Sequence, residues 1–229
     1  MTLPQLFLTV LAVSLAVGFM WLSLRHRSHQ ESSAAEIAQL RSEVLGLERG
    51  RDELERLSVT DPLTGLWNYR YLQRALDREV ERATRFARPL AVLMLDLDHF
   101  KRVNERFGHQ RGSAVLREFA QRVALETRQV DTLARYGGEE FVLILPETTQ
   151  EGAALVAERL CYAVRKQTFG RSDEEPVRLT VSIGAAVHST DGTHATTLLR
   201  RADEALFASK RRGRDRWDFA TPAVDARGA

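Results

Sequence analysis

Two glycines and two glutamates stand in succession at residues 137–140, between the apolar segments 132–136 and 141–145 that predict two strands. Glycine pairs are favoured in tight hairpin turns, because both central positions can require a positive φ and because the missing Cβ atoms let a ligand approach the backbone. The pattern predicts a hairpin whose tip carries Glu139 and Glu140, a place suited to a cation or a phosphate. The alternative for such a tip is a solvated turn that binds nothing.

A second acidic group follows the apolar residues 89–95. A continuous apolar segment is typical of a strand that is buried on both faces, and ligands commonly bind where such strands end. Asp96 would leave the core at that end, so it and a hairpin carboxylate could hold one hard cation, with Lys101 facing phosphate oxygens. In the alternative, Asp96 and Asp98 cap the following helix. Both roles can coexist, with Asp98 as the cap and Asp96 as the metal ligand.

Six short motifs occur in order across residues 58–220. They are DPLTGL at 61–66, DLDHFK at 96–101, GH at 108–109, GGEEF at 137–141, SIG at 182–184, and ADEA at 202–205 with Lys210 and Arg214. Together they resemble the GGDEF family of nucleotide cyclases. The best-known members are diguanylate cyclases, which condense two GTP into cyclic di-GMP and release two pyrophosphates. The resemblance implies an α/β (α+β) sandwich with a central, mainly antiparallel sheet, like the palm of polymerases and class III cyclases.

The resemblance also implies roles for individual residues. Asp96 and Glu139 match the metal-binding carboxylates, with the backbone carbonyl of Leu97 as a third ligand, and the ion would be Mg²⁺ or Mn²⁺. Glu139 would accept the proton of the 3′-hydroxyl, and Glu140 would assist at a second cation or hold the hairpin. The cations Lys101, Lys210 and Arg214 would contact phosphates and offset charge as pyrophosphate departs. The further substrate-binding positions are Phe100, Asn104 and Ser113.

Base recognition departs from the usual family pattern. Asn104 matches a guanine-contacting asparagine, but Ser113 stands where an aspartate is usual. A carboxylate accepts two hydrogen bonds from the guanine edge, whereas a serine hydroxyl can donate or accept, so the change could remove roughly 1–3 kcal/mol of preference for guanine. Ser113 resembles a hybrid, promiscuous subgroup that accepts ATP as well as GTP and makes 3′,3′-cyclic GMP-AMP beside cyclic di-GMP.

Arg128 and Asp131 match the inhibitory Arg-x-x-Asp site of the family, where a cyclic dinucleotide product binds. Arginine can stack on a purine or fork to a phosphate, and aspartate can accept from a guanine edge. By themselves the two residues are also typical of an exposed salt bridge at a helix end. A catalytically silent receptor that reads cyclic dinucleotides through this pair is the alternative function, although such a receptor would be free to lose the hairpin acids.

Residues 3–24 carry no charged side chain and are long enough to cross a bilayer as a helix. Arg25 and Arg27 follow directly, so the positive-inside rule predicts a single-pass protein of the bacterial inner membrane with its catalytic domain in the cytoplasm. A cleaved signal peptide is the competing interpretation, but the apolar segment is long and ends in bulky residues.

Apolar residues recur at three- and four-residue steps after the predicted anchor, at Ile37, Leu40, Val44, Leu47 and Leu54, with Arg51 at the one intervening position that is not apolar. The stripe predicts a short parallel coiled coil that forms a homodimer, although a lone amphipathic helix remains possible. Dimerisation matters because two protomers must face each other for each 3′-hydroxyl to attack the other's α-phosphate. The predicted organisation is an anchor at 1–27, a coiled coil at 28–58, a catalytic domain at 59–220 and a flexible tail at 221–229.

Composition adds two constraints. The net charge of +2 is small and the arginines are interleaved with acids, so nucleic acid is not an expected partner. The single cysteine, Cys161, lies among apolar residues at helical spacing and predicts a buried thiol. The remaining periodicity predicts helices at 69–87, 112–127, 150–168 and 196–211, strands at 90–96, 132–145 and 178–187, and a short last strand.

Overall fold

The computed structural model describes residues 20–21, 39–46, 59–170 and 175–220. The chain divides into two compact units, residues 1–58 and 59–229. In the first unit, the described residues are helical and exposed. All of the predicted anchor except residues 20–21, most of the coiled-coil stripe and the tail lie outside the described residues. Across the residues that are described, no helix is both long enough and apolar enough to cross a membrane.

The second unit alternates helices and strands around one sheet. The strand order is β2-β3-β1-β4-β5, and every neighbouring pair is antiparallel except β4 and β5. The prediction of an α/β sandwich with a mainly antiparallel sheet is therefore confirmed. The elements are α1 (Tyr69–Phe86), β1 (Leu90–Leu97), α2 (Phe100–Leu125), β2 (Thr132–Gly137), β3 (Glu140–Pro146), α3 (Gln150–Arg165), β4 (Val181–Val187), α4 (Ala195–Arg211) and β5 (Arg216–Phe219).

Strand β1 is central and buried on both faces, which explains its continuous apolar sequence. Successive side chains alternate between two apolar cores. Leu93 and Leu95 pack with α2 and α3, while Val92 and Met94 pack with α1 and α4. The sheet therefore lies between two helical layers, and its strand ends are the places where polar side chains can leave the core.

Helix α4 packs against the sheet with almost no space at Gly184 of β4. A Cβ atom built on Gly184 would stand 2.0 Å from the carbonyl oxygen of Ala202 and 2.1 Å from the amide nitrogen of Leu206. On the opposite face of the sheet, Cys161 is 1% exposed and lies 3.7 Å from the carbonyl oxygen of Val181. Burial raises the pKa of the Cys161 thiol to about 12, so the predicted structural thiol is confirmed.

The structure corrects the prediction at the start of α2. Asp98 does not cap this helix: the N-cap is His99, in the left-handed conformation with φ 61° and without a side-chain cap hydrogen bond. The helix begins at Phe100 rather than near residue 112, and Gly108, with φ 81°, interrupts its regular geometry. Elsewhere α3 ends at Arg165 and β4 begins at Val181, each a few residues inside its predicted bound.

Candidate active site

The hairpin tip and the end of β1 lie side by side. Asp96 is the register partner of Glu140, and the backbone N–H of Leu97 donates to the carbonyl oxygen of Glu139 at 3.4 Å. This antiparallel pairing forces the acids of two separate sequence segments to one edge of the sheet. The residues predicted to hold a metal, Asp96, Leu97 and Glu139, are therefore neighbours in the fold.

Asp96 is buried and already paired. The residue is only 6% exposed, and one oxygen of its carboxylate lies 2.8 Å from Nζ of Lys210, near the end of α4. Burial raises the pKa of Asp96, and the nearby Asp98 carboxylate raises it further, while Lys210 opposes both. The sequence predicted Lys210 as a phosphate contact, but its direct contact with Asp96 was missed because the helix and the strand are over a hundred residues apart.

The hairpin glutamates face the same negative surroundings. The pKa of Glu139 and that of Glu140 are both raised, first by burial and then by the charge of Asp96, and Lys210 lowers each in part. Three carboxylates therefore share one nearby ammonium group. Such an excess of negative charge is stabilised by a divalent cation.

The donor set fits Mg²⁺ or Mn²⁺ bound together with a substrate. Among residues 59–170 and 175–220, no three histidine, cysteine or acidic side chains converge into a complete metal cage. Mg²⁺ in nucleotide sites is usually held by one or two carboxylates, with water and phosphate oxygens completing its shell. Asp96, Glu139 and the carbonyl of Leu97 supply hard oxygen ligands of this kind.

The other predicted phosphate contacts differ in how they are held. The Lys101 side chain is 85% exposed and lies 3.7 Å from the carboxylate of Glu105, one turn along the same helix. Arg214 is tied instead to Asp98, with Nε 3.8 Å from a carboxylate oxygen. The structure therefore brings Lys210 to the carboxylate cluster, anchors Arg214 beside it and leaves Lys101 in solvent.

The break in α2 at Gly108 brings together the residues predicted to bind the nucleotide base. In an unbroken helix, residues eight positions apart are separated by about 12 Å along the axis. Because α2 is broken at Gly108, Asn104 instead folds against Gly112, where a Cβ atom would stand 1.9 Å from Oδ1 of Asn104. Ser113 follows directly and is half-buried. Phe100 is 4% exposed and belongs to the core, so only its backbone can face a substrate.

Arg128 and Asp131 form a closed pair at the other end of the hairpin. The Asp131 side chain is 2% exposed and accepts from the backbone N–H of Arg128 at 2.8 Å and from its guanidinium at 2.8 Å. Arg128 also donates to the hydroxyl of Thr148 at 2.9 Å and the carbonyl of Pro146 at 3.2 Å. A cavity of about 360 Å³ adjoins the pair and is lined by Thr60, Gly65, Leu66, Trp67, Arg128, Gln129, Asp131 and Leu133.

Sequence reasoning missed the contact that holds the glycine turn. Arg135 donates to the carbonyl oxygen of Gly138 at 2.7 Å and forms an ion pair with Asp61 at 3.1 Å. Burial raises the pKa of Asp61, but hydrogen bonds from Thr64 and the charge of Arg135 outweigh burial and lower it. The signal was available, because an arginine stands two residues before Gly137 and an acid opens the 61–66 motif.

Comparison with known proteins identifies the family of the chain. Residues 58–216 match the profile of the family described as "Diguanylate cyclase, GGDEF domain". The response regulator PleD of Caulobacter vibrioides is 42% identical over 170 residues, which are 74% of this chain and 37% of PleD. The diguanylate cyclase DosC of Escherichia coli is 36% identical over 196 residues, 85% of this chain and 42% of DosC.

A solved structure matches in fold as well. The GGDEF domain of DgcB from Caulobacter crescentus, crystallised in complex with c-di-GMP, superposes with a TM-score of 0.67 at 35% identity. The match covers 71% of this chain and 93% of that one. The chain spans less than half the length of the two curated relatives, at 37% and 42%.

Proposed function

This chain belongs to the diguanylate cyclase GGDEF domain family, and on that premise we propose that it condenses two GTP molecules into cyclic di-GMP and releases two pyrophosphates. The observation that carries the proposal is the carboxylate cluster of Asp96, Glu139 and Glu140 around Lys210, at the edge where the hairpin tip meets the end of β1. A domain that only bound product would have no need for one buried and two half-buried acids in each other's field.

The residues of the cluster have distinct roles in this reaction. Asp96, Glu139 and the carbonyl of Leu97 would hold Mg²⁺ or Mn²⁺, which when bound supplies positive charge beside the triphosphate. The raised pKa of Glu139 suits it to accept the proton of the attacking 3′-hydroxyl. Glu140 would hold the hairpin or assist at a second cation.

The cations act on the leaving group. Lys210 is already at the cluster, where it neutralises part of the charge of Asp96 in the absence of substrate. A divalent cation would take over that task and leave the ammonium to the phosphates. Lys101 and Arg214 would add positive charge as pyrophosphate departs, an electrostatic stabilisation of the transition state.

The reaction needs two copies of the domain, because the 3′-hydroxyl of one nucleotide must reach the α-phosphate of the other. We infer a homodimer joined through a coiled coil at 28–58, which would raise the effective concentration of one active site near its partner. The apolar residues 3–24 would anchor the chain in the bacterial inner membrane, with residues 59–220 as the catalytic domain in the cytoplasm and 221–229 as a tail.

Base choice is the finer part of the proposal. Ser113 lies beside the contact of Asn104 with Gly112 and offers a hydroxyl instead of a carboxylate. A hydroxyl can serve adenine as well as guanine, so we infer that ATP is accepted beside GTP and that 3′,3′-cyclic GMP-AMP is formed beside cyclic di-GMP.

An assay of pyrophosphate release tests the proposed cyclase activity. The 229-residue chain is incubated with GTP and MgCl₂, and pyrophosphate is measured by a coupled assay with EDTA as the blank. We expect Mg²⁺-dependent release and cyclic di-GMP by mass spectrometry. Binding of cyclic di-GMP without any release of pyrophosphate would instead establish the silent receptor.

A competition experiment tests base choice separately. With equimolar ATP and GTP, we expect a mixture of cyclic GMP-AMP and cyclic di-GMP from the natural chain. The substitution Ser113→Asp should shift the mixture towards cyclic di-GMP by about fivefold or more, since roughly 1 kcal/mol or more of guanine preference is restored. Cyclic di-GMP as the sole product of the natural chain would remove relaxed base choice and leave the cyclase intact.

Product feedback is a further part of the proposal. A cyclic dinucleotide could open the Arg128–Asp131 pair and bind at the neighbouring cavity, where arginine and aspartate would meet its phosphate and guanine edge. The relative DgcB was crystallised with c-di-GMP. The affinity of such a site is reduced by the free energy needed to open the existing pair.

A further inference from the structure

Asp98 is a buried carboxylate outside the proposed catalytic set. It is 2% exposed, and three donors surround it. The hydroxyl of Thr180 donates at 2.6 Å, the hydroxyl of Ser182 at 2.7 Å, and the backbone N–H of Asp215 at 3.1 Å. Because Asp98 does not cap α2, these contacts account for its burial.

The third donor belongs to an unusual turn between α4 and β5. Gly213, Arg214 and Asp215 have φ values of 113°, 64° and 46°, so three consecutive residues adopt positive φ. Side chains with a Cβ atom disfavour this region, and Arg214 and Asp215 would rarely adopt it together without outside support. Asp98 provides that support, since it accepts from the Asp215 backbone and pairs with the Arg214 guanidinium at 3.8 Å.

The turn also continues the helix that carries Lys210. Lys210 contacts Asp96, while Arg214 contacts Asp98, so two cations four residues apart meet two acids two residues apart. The end of β1 therefore holds both cations beside the carboxylate cluster. Ser182 and Thr180 fix the orientation of the Asp98 carboxylate from the β4 side.

We propose that Asp98 is a positioning residue, which holds the 213–215 turn in its left-handed conformation and thereby directs Arg214 to the nucleotide phosphates. The inference rests on the proposed function, because it takes Arg214 as a phosphate contact. It differs from a structural role in one respect: the effect of Asp98 on nucleotide affinity must pass through Arg214.

A double-mutant cycle measures that dependence. The 229-residue chain and the variants Asp98→Asn, Arg214→Ala and both together are titrated with guanosine 5′-(α,β-methylene)triphosphate and Mg²⁺ by calorimetry. The asparagine retains one acceptor oxygen and nearly the same volume. We expect each single variant to bind about tenfold more weakly, as is usual for a lost contact to a charged group, and the double variant to bind no more weakly than Arg214→Ala.

Asp191→Asn is the matched control. Asp191 is also buried and accepts a backbone hydrogen bond, from Val187 at 2.7 Å, but it lies outside the site. Its affinity for the nucleotide analogue should equal that of the natural chain even if its melting temperature falls as much as that of Asp98→Asn. Equal weakening by the two variants would overturn the positioning role.

The outcomes separate the two proposals. If Arg214→Ala weakens binding and Asp98→Asn does not, or if their effects simply add, the positioning inference is wrong and the proposed function stands. If Arg214→Ala has no effect, the phosphate contact itself fails, and the positioning role fails with it. Trypsin provides a readout without nucleotide: Asp98→Asn should be cleaved faster within 211–214, as located by mass spectrometry, and an unchanged cleavage rate there would contradict the inference.

Discussion

The two ends of the β2–β3 hairpin differ in whether nearby cations balance the charge of their acidic side chains. At the tip, Glu139 and Glu140 lie in the field of Asp96 with Lys210 as the nearby cation, and their pKa values are raised. At the base, Asp131 is paired with Arg128, and the guanidinium nitrogen that bonds Asp131 also donates to the hydroxyl of Thr148 and the carbonyl of Pro146. The tip needs a ligand to balance its charge, whereas the base is balanced without one.

Under the proposed function, this difference in charge balance separates the proposed catalytic site at the tip from the proposed site of product feedback at the base. An excess of acid lowers the stability of the fold but gives a divalent cation a place to bind. A closed ion pair stabilises the fold and gives way only to a ligand that replaces its hydrogen bonds. Substrate binding should therefore stabilise the tip directly, while product binding at the base must first break an existing contact.

Loss of one acid at the tip should have the largest effect. Asp96→Asn removes a proposed metal ligand and the partner of Lys210, so we expect pyrophosphate release to fall by roughly 10²- to 10⁴-fold. The matched control is Asp77→Asn, an exposed acid on α1, which should keep full activity. An Asp96→Asn variant that retains most of its activity with unchanged Mg²⁺ dependence would break the assignment of the tip as the catalytic end.

At the base, Arg128→Ala should affect regulation and stability together. The substitution leaves the buried Asp131 carboxylate without its guanidinium, which should cost about 1–3 kcal/mol of unfolding free energy in urea denaturation. Arg200→Ala breaks an exposed pair with Glu204 one turn away and should cost less than about 0.5 kcal/mol. Equal costs for the two variants would show that the Arg128 pair is an ordinary surface contact.

The same variant tests feedback by product. Without Arg128, we expect the concentration of cyclic di-GMP that halves the initial rate to rise by about tenfold or more, because a contact to a charged group is lost. Initial rates measured at increasing cyclic di-GMP give this value directly. Undiminished inhibition in Arg128→Ala would exclude the base of the hairpin as the inhibitory site.

Replacing Glu139 by glutamine should have the smallest effect on stability, and it should stabilise the fold instead of destabilising it. The pKa of Glu139 is raised in the folded chain, so ionisation costs stability as pH rises from its ordinary value of 4.5 through the folded value. In EDTA at pH 7.5, Glu139→Gln should therefore melt higher, by roughly 1–3 °C, while losing activity.

The pH dependence checks the cause of that stabilisation. The difference in melting temperature should be small near pH 4, where the natural glutamate is protonated, and should reach its full value above the raised pKa. Excess Mg²⁺ with nucleotide should reverse the order of the two melting temperatures, since the natural chain binds and the variant binds poorly. A variant that melts lower than the natural chain at every pH would contradict the charge imbalance at the tip.

Much of the fold followed from periodicity and turn chemistry. The apolar segment before Asp96, the glycine pair and the helical periodicity predicted individual elements and the hairpin, because these features are local and depend on burial, while the layered sandwich with its mainly antiparallel sheet was implied by the family resemblance. The start of α2 was missed, since Gly108 with positive φ allows two helical segments to meet at a break that helical periodicity does not reveal. The alternative in which Asp98 caps α2 was wrong, because hydroxyl groups of Thr180 and Ser182 donate to its carboxylate instead.

The candidate site was predictable in its members but not in its contacts. Asp96 and Glu139 could be placed together from two strand ends, whereas the pairing of Lys210 with Asp96 depends on how α4 crosses the sheet. The closure of the Arg128 pair by Thr148 and Pro146 likewise depends on the end of the neighbouring strand. Such long-range contacts set the charge balance that distinguishes the two ends of the hairpin.

The close contact of Gly184 with α4 affects the position of Lys210, which lies further along that helix. The backbone of β4 at Gly184 contacts the backbone of α4 between Ala202 and Leu206. This contact fixes the distance between the helix and the sheet. Lys210 lies one turn further along the same helix, and Asp96 is in the adjacent strand, opposite Ser182. Because Gly184 has no Cβ atom, α4 lies close enough to the sheet for the ammonium group of Lys210 to contact the carboxylate of Asp96. We expect an added methyl at Gly184 to displace α4 and to lengthen the distance between Lys210 and Asp96, although Gly184 is not itself among the proposed site residues.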